Sequence, residues 1–200
     1  MASIIDICNL SLANIGDSAD VVSISPPDGT SQAAYCAKFY PIARDIVLEG
    51  HSWSFATTRI LLADLGTPPA GWGYRYKMPA NVLTAIEVYG ELSDAPEPFK
   101  VESDSDGVVI LTDVRNAQLR FTFKEEDSTV YSGLFIQALS WLLSSFLAGV
   151  ITSDMQLKES AYKAYLSFMS EAAVADSGHL KTRVSQKLAN FSGKQVGARS

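Results

Sequence analysis

The apolar positions of this chain recur at helical spacing near both ends of the sequence. Such stripes predict four helices, of which the third is almost wholly apolar and the fourth is amphipathic. The predicted helices span residues 3–15, 30–51, 131–153 and 155–175. Pro41 lies inside the second helix and lacks a backbone donor, so we expect a kink or a break after Phe39 or Tyr40.

Between residues 65 and 123 the helical repeat gives way to short alternating runs bounded by Pro and Gly. These runs predict five strands, with a hairpin turn at Asp104-Ser105-Asp106-Gly107. The predicted strands span residues 72–77, 83–89, 99–101, 108–111 and 119–123. We therefore expect an α+β fold that is mainly a helical bundle of about four helices with an inserted small antiparallel β lobe. The bundle takes residues 1–64 and 124–176, and the lobe takes residues 65–123.

Residues 177–200, here called the C-terminal arm, carry five basic residues and no acidic ones, whereas residues 1–176 hold twenty-two acidic and eleven basic residues. A segment this short cannot bury enough apolar surface alone to offset its ordering entropy. We predict an extended arm that orders against a partner or a neighbouring copy; a functionless terminus is the alternative. Its candidate contact residues are Leu180, Lys181, Arg183, Val184, Lys187, Leu188, Phe191, Lys194 and Arg199.

Composition narrows the class of protein. The net charge of −6 argues against a nucleic-acid-binding body, because such surfaces are usually basic. Cys8 and Cys36 each lie among apolar neighbours, which predicts buried free thiols and a reducing compartment. Asp6 interrupts the first apolar run, so we expect no signal peptide. Residues 131–153 are long enough to span a bilayer, but their serines and the missing basic flanks favour a buried helix.

The sequence predicts no catalytic, cofactor-binding or metal-binding residue. His51 and His179 lie in different elements, and phosphate-loop, zinc and nucleophile-elbow motifs are missing from the sequence. Asp104, Asp106 and Gly107 are similar to the start of a calcium loop, but the predicted strands on both sides favour a solvated turn.

Two weaker patterns have plain structural explanations. Glu125, Glu126 and Asp127 would be the first carboxylates to test as an acid–base pair for glycoside hydrolysis, although consecutive acids usually form a solvated loop. The aromatic and basic residues of 74–77 suggest base stacking, but a strand with one buried face explains them better.

The order of these elements resembles the tail tubular protein A family of short-tailed bacteriophages over residues 3–176. Two segments together carry most of the resemblance: Trp53-Ser54-Phe55-Ala56, and the Y-x-Y-x-x-P-A-x-x-L pattern that begins at Tyr74 and ends at Leu83. The remaining matching positions are Asn14-Ile15-Gly16, Tyr40, Ala43-Arg44-Asp45, Val47-Leu48, Trp72, Asn81-Val82, Phe135, Ala138-Leu139, Thr152, Tyr162, Tyr165 and Ala172-Ala173.

The resemblance implies a structural, non-enzymatic virion protein that serves as the head-to-tail adaptor between the portal protein and the tail nozzle protein. It implies a ring of about twelve copies, with double-stranded DNA passing through its centre without specific binding. The expected location is the virion tail, preceded by the host cytoplasm during assembly, and no membrane is involved. The arm would bind the portal or a neighbouring copy. Candidates for a nozzle-facing loop are Glu91, Asp94, Glu97, Asp104 and Asp106.

Two other functions stay open at this point. One is a tail-associated glycan hydrolase that uses a carboxylate pair. The other is a small helical protein-interaction module, monomeric or dimeric, that binds one peptide or protein partner.

Overall fold

The computed structural model describes the backbone of residues 2–91 and 95–196, and within these ranges the side chains as far as residue 178. The chain divides into two compact units, which we describe separately. The helical unit comprises Met1–Val47 and Asp127–Ser200, and the β unit comprises Leu48–Glu126. The helices of the described residues are α1 (Ile4–Ala13), α2 (Ser31–Glu49), α3 (Gly133–Ile151) and α4 (Met155–Val196).

Helix α1 starts where the sequence supplies a cap. The Asp6 amide donates to Ser3 Oγ at 3.1 Å, and the Ser3 amide donates to Asp6 Oδ2 at 2.8 Å, which closes a capping box. These hydrogen bonds favour the charged carboxylate and lower the pKa of Asp6. Ile7, Cys8 and Leu12 form the buried stripe of this helix.

Helix α3 lies against α1 through small polar residues. Ser144 Oγ donates to the Ser11 carbonyl at 2.9 Å, and Asn14 Nδ2 donates to Ser144 Oγ at 3.2 Å. Ten of the nineteen residues of α3 are buried, so the helix has a partly open side rather than burial on nearly every side. By length and composition α3 is apolar enough to cross a bilayer, a test that the core helix of a soluble protein also passes.

Helix α2 runs without a break through Pro41, so the sequence-based expectation of a possible split there is wrong. Cys36 on α2 and Cys8 on α1 are buried free thiols, as predicted. The neighbouring Cys36 thiol and burial together raise the pKa of Cys8.

Helix α4 is a single helix of 42 residues. The sequence predicted a helix ending near residue 175 and a separate extended arm, and this division is wrong for the backbone. The described backbone stays helical as far as Val196, so most of the arm is the continuation of α4.

The β unit is larger than the predicted small lobe, and the expectation of a mainly helical bundle with a minor β insertion is therefore wrong. Its described residues form seven antiparallel strands in two sheets, ordered β1-β7-β3-β4 and β2-β6-β5. The strands are β1 (Thr57–Leu61), β2 (Tyr74–Lys77), β3 (Val82–Tyr89), β4 (Pro96–Glu97), β5 (Phe99–Asp104), β6 (Gly107–Thr112) and β7 (Gln118–Phe123). Strand β1 lies in the segment that the sequence assigned to the bundle.

The core of the β unit draws on both sheets. Tyr76 and Ile110 come from one sheet, and Val88, Leu119 and Phe121 come from the other. The Tyr76 hydroxyl donates to the Val114 carbonyl at 2.9 Å, which satisfies its polar end inside the core. Burial raises the pKa of this phenol. The unit therefore behaves as two sheets packed around one apolar layer.

Candidate interaction surface on the helical unit

An apolar groove runs along the helical unit where α2, α3 and α4 meet. It consists of two adjoining concavities of about 420 and 450 Å³ that share Phe146, Met155 and Lys158. Ile42 from α2 and Tyr162 from α4 extend its two ends. These residues define what we call the α2–α3–α4 groove. A groove of this size with an apolar lining is suited to an apolar peptide face or helix.

The groove is open to solvent, and several of the large apolar side chains that line it are exposed. Met155 is 68% exposed, Ile42 49% and Tyr162 47%. Single exposed apolar residues are ordinary, but three of them along two adjoining concavities are typical of an interaction site.

The short connection between α3 and α4 places the groove. Ser153 takes a left-handed conformation with φ of 55°, which reverses the chain within a few residues. Asp154 then caps α4, because its Oδ1 accepts from the Gln156 amide at 2.8 Å and the Leu157 amide at 3.1 Å. The first turn of α4 therefore starts beside the end of α3.

Aromatic rings form one wall of the groove. The rings of Tyr35 and Phe39 stack at 6.3 Å between centroids, and Phe39 contacts Phe146 of α3 at 6.0 Å. The Lys38 ammonium lies 5.4 Å from the Phe39 ring centroid. These contacts hold the wall rigid, and a rigid wall lowers the entropy cost of binding a partner.

Helix α4 is far longer than the helix it packs against. Its 42 residues measure about 63 Å, whereas the 19 residues of α3 measure about 28 Å. Because the two helices form an antiparallel hairpin, Gly133 at the start of α3 lies opposite about residue 173 of α4. The arm therefore continues past the N-terminal end of α3.

The predicted arm residues fall on this continuation. Their backbone is helical from residue 180 to residue 194, while their side chains lie outside the described residues, and Arg199 lies outside them altogether. In the sequence the apolar positions 162, 166, 169, 173, 180, 184, 188 and 191 follow one helical spacing. The stripe thus begins on the packed part of α4 and continues along the arm.

The acidic residues proposed to face a nozzle are scattered over the β unit, and several have partners within it. Arg75 donates from Nη1 to Asp104 Oδ2 and from Nη2 to Asp106 Oδ2, both at 2.8 Å. Asn116 Nδ2 donates to Glu91 Oε2 at 2.8 Å. Glu97 lies in β4 opposite Val88. Asp94 lies outside the described residues.

The hairpin with Asp104 and Asp106 is a structural turn. Strands β5 and β6 pair up to Asp104 and Gly107, whose φ of 100° suits a residue without a side chain. The Asp106 amide donates to Asp104 Oδ1 at 2.8 Å. These carboxylates neutralise Arg75, so the turn holds β2 to the hairpin. Among the described residues, no group of three or more His, Cys, Asp or Glu is placed to hold a metal ion.

A charged cluster on the four-stranded sheet is the clearest polar feature of the β unit. Arg120 Nη1 donates to Glu87 Oε2 at 2.7 Å, and the Tyr89 hydroxyl donates to the same oxygen at 2.6 Å. The Arg59 guanidinium lies 3.7 Å from the Tyr89 ring centroid. Hydrogen bonds from Tyr89 and Arg120 lower the pKa of Glu87, and the bond to Glu87 raises the pKa of Tyr89. The contacts of this cluster join β1, β3 and β7 within the four-stranded sheet.

The remaining candidate residues have local structural contacts. Asp127 caps the 3₁₀ turn Ser128–Val130, since its Oδ1 accepts from the Thr129 amide at 2.9 Å. Lys124 Nζ lies 3.8 Å from Glu126 Oε1, and Glu125 is half-buried. The His51 ring lies edge-on to Trp53 at 4.9 Å, and the His179 side chain lies outside the described residues.

The apolar pattern of the sequence does not predict the α2–α3–α4 groove. Phe39, Ile42 and Phe146 follow the helical repeats of their own helices, so each is indistinguishable from a core residue until the three helices are placed together. One signal was available. Met155, Tyr162 and Leu166 lie on a different face of α4 from the buried Ala161, Tyr165 and Ala172, which indicates two apolar faces on one helix.

No protein-family model and no curated protein matches this chain.

Proposed function

We propose that this chain is a structural virion protein, a head-to-tail adaptor that forms a ring of about twelve copies between the portal and the tail nozzle of a short-tailed bacteriophage. The observation that carries the proposal is the continuation of α4 past α3 into the arm, whose sequence has five basic residues and no acidic ones. A basic helix that is longer than its own bundle suits a protein whose task is to join subunits.

The sequence resemblance also motivates the proposal. Trp53 and Tyr76, from the two segments that carry most of the resemblance, are both buried, and Tyr76 belongs to the core of the β unit. Residues that form a core constrain the fold more than they constrain the function. The proposal of assembly therefore rests on the arm.

The charge of both units supports the passage of DNA without retention. Outside the arm, the helical unit has ten acidic and four basic residues, and the β unit has twelve acidic and seven basic residues. A predominantly negative surface does not hold DNA by its phosphates. An adaptor built from such units would leave the DNA in its channel free to move.

The test is the mass of the complex formed with the portal protein of the same virus. The full chain is mixed with assembled portal, and the mass is measured by light scattering after size-exclusion chromatography. We expect one complex with about twelve copies of the chain per portal ring. The matched control is the chain that lacks residues 178–200, which should remain folded and fail to join the portal. A full chain that stays monomeric and ignores the portal would contradict the proposal and favour a small interaction module.

A further inference from the structure

The chain carries both an apolar groove and a helical arm whose sequence suits such a groove. The α2–α3–α4 groove exposes Ile42, Met155 and Tyr162 to solvent. The arm places apolar residues at positions 180, 184, 188 and 191, a spacing that gives a helix one apolar face. An amphipathic helix lying in an apolar groove is a common mode of protein recognition.

The arm cannot reach the groove of its own chain. Met155 and Tyr162 of the groove belong to the start of the same helix that forms the arm. Leu180 lies about 37 Å further along that helix than Met155, and Phe191 lies about 54 Å further. Since α4 is continuous over Met155–Val196, these positions stay apart within one copy. An arm that fills the groove must therefore come from another molecule.

Charge indicates that the other molecule is a second copy of this chain. The helical unit outside the arm has ten acidic and four basic residues, whereas the arm has five basic residues and no acidic ones. The rim of the groove is mixed, with Lys158 beside Glu159, so the attraction comes from the unit as a whole. Opposite charges of this kind steer the two surfaces together and discourage two arms from pairing with each other.

We propose that the arm of one copy docks in the α2–α3–α4 groove of a second copy. The proposal deepens the proposed function and rests on that function for the ring. Each copy offers one arm and one groove of this kind. Contacts between two different surfaces continue from copy to copy and can close into a ring. The docked arm covers Ile42, Met155 and Tyr162, which are exposed in the single copy.

The test is cross-linking between copies without the portal. One tagged population carries Ile42→Cys and an untagged population carries Leu188→Cys, and the two are mixed over a range of concentrations under mild oxidation. Cys8 and Cys36 are fully buried and can stay in place. We expect a disulfide-linked pair that contains one chain of each kind. The matched control is Val22→Cys mixed with Leu188→Cys, because Val22 is 71% exposed and lies outside the groove.

Three results would overturn the docking. They are the absence of cross-links at every concentration, a Val22→Cys control that reacts as well as Ile42→Cys, and a product that joins two Leu188→Cys chains in preference to the mixed pair. The last result would show that arms bind arms.

A second variant tests the groove by filling it. A β carbon at Gly149 would meet Lys158 Cδ at 3.7 Å, an ordinary contact, so the first atom of a side chain fits there. Gly149→Trp should occupy the concavity and reduce the yield of the Ile42→Cys and Leu188→Cys product by about tenfold. Val22→Trp adds the same ring outside the groove and should leave the yield unchanged. Thermal unfolding of both variants checks their folding, and an unchanged yield with Gly149→Trp would overturn the docking.

The two proposals fail in different ways. A chain that joins the portal but gives no mixed cross-link keeps the adaptor function and loses the docking of the arm. A chain that gives the cross-link but ignores the portal keeps the docking and loses the adaptor function.

Discussion

The two halves of α4 belong to one helix but differ in surroundings and in charge. Residues 155–176 pack against α3, are capped by Asp154, and bury Ala161, Tyr165 and Ala172. The arm continues the same helix past the N-terminal end of α3, and its charged residues are all basic. The first half is held by its own fold, while under our proposal the second half gains its packing from a second copy. One continuous helix can thus contain a structural part and an assembly part.

The largest effect in this comparison should follow from removing the second half. Deletion of residues 178–200 should abolish association between copies and leave the free energy of unfolding within about 1 kcal/mol of that of the full chain at low concentration. The reason is that the deleted segment lies past α3. Light scattering and urea denaturation measure the two quantities. A strongly destabilised deletion variant would mean that the arm packs within its own chain.

Single substitutions should separate the halves in the same way. Tyr165→Ala in the first half should cost about 3 kcal/mol, because Tyr165 is only 7% exposed and its ring lies 5.6 Å from that of Tyr162. Leu188→Ala in the arm should leave the stability of the dilute protein unchanged and weaken association. Tyr165→Phe keeps the ring and should change stability by less than about 1 kcal/mol. Equal losses from Tyr165→Ala and Leu188→Ala in denaturant titrations would remove the distinction.

The start of α4 gives a smaller effect. Asp154→Ala removes the side chain that accepts from the Gln156 and Leu157 amides and should destabilise the helical unit by about 1 kcal/mol. Asp154→Asn retains an acceptor and should recover most of the loss. The midpoint of urea unfolding measures both, and an unaltered midpoint for Asp154→Ala would show that the cap contributes nothing.

The smallest effect concerns pH. Glu159 Oε1 lies 2.8 Å from Lys163 Nζ on the first half of α4, and this contact lowers the pKa of Glu159 from its ordinary 4.5. The folded state thus favours the charged carboxylate. The stabilisation is present above the ordinary pKa and is lost as the pH falls through the lowered value. Glu159→Gln should slightly lower the melting temperature near pH 7 and have no effect at low pH. A difference that persists in acid would have another cause.

Much of the local structure was predictable from the sequence. The five predicted strands are present, with ends that shift by up to three residues, and the hairpin at Asp104–Gly107 is confirmed by the pairing of β5 with β6. Alternating apolar residues and a Gly at a positive φ are local signals, and local signals survive folding.

The errors came from features that depend on tertiary context. The sequence of strand β1, Thr57–Leu61, carries no period of two. Its burial does not alternate either, since Arg59, Ile60 and Leu61 are all exposed. Pro41 was expected to kink or break the helix after Phe39 or Tyr40, yet α2 continues through it without a break, as the packing of a buried helix can outweigh one missing hydrogen bond. The basic charge of residues 177–200 is visible in the sequence, whereas the helical backbone of this segment and the groove between three helices required the fold.

Amide hydrogen exchange along α4, measured at increasing concentrations of the full chain, tests the central claim most directly. Exchange at residues 155–176 should be slow at every concentration, because this half packs against α3. Exchange at residues 179–196 should slow as the concentration rises, since protection there comes from a second copy. Protection of residues 179–196 that does not change with concentration, whether strong or weak, would contradict the account.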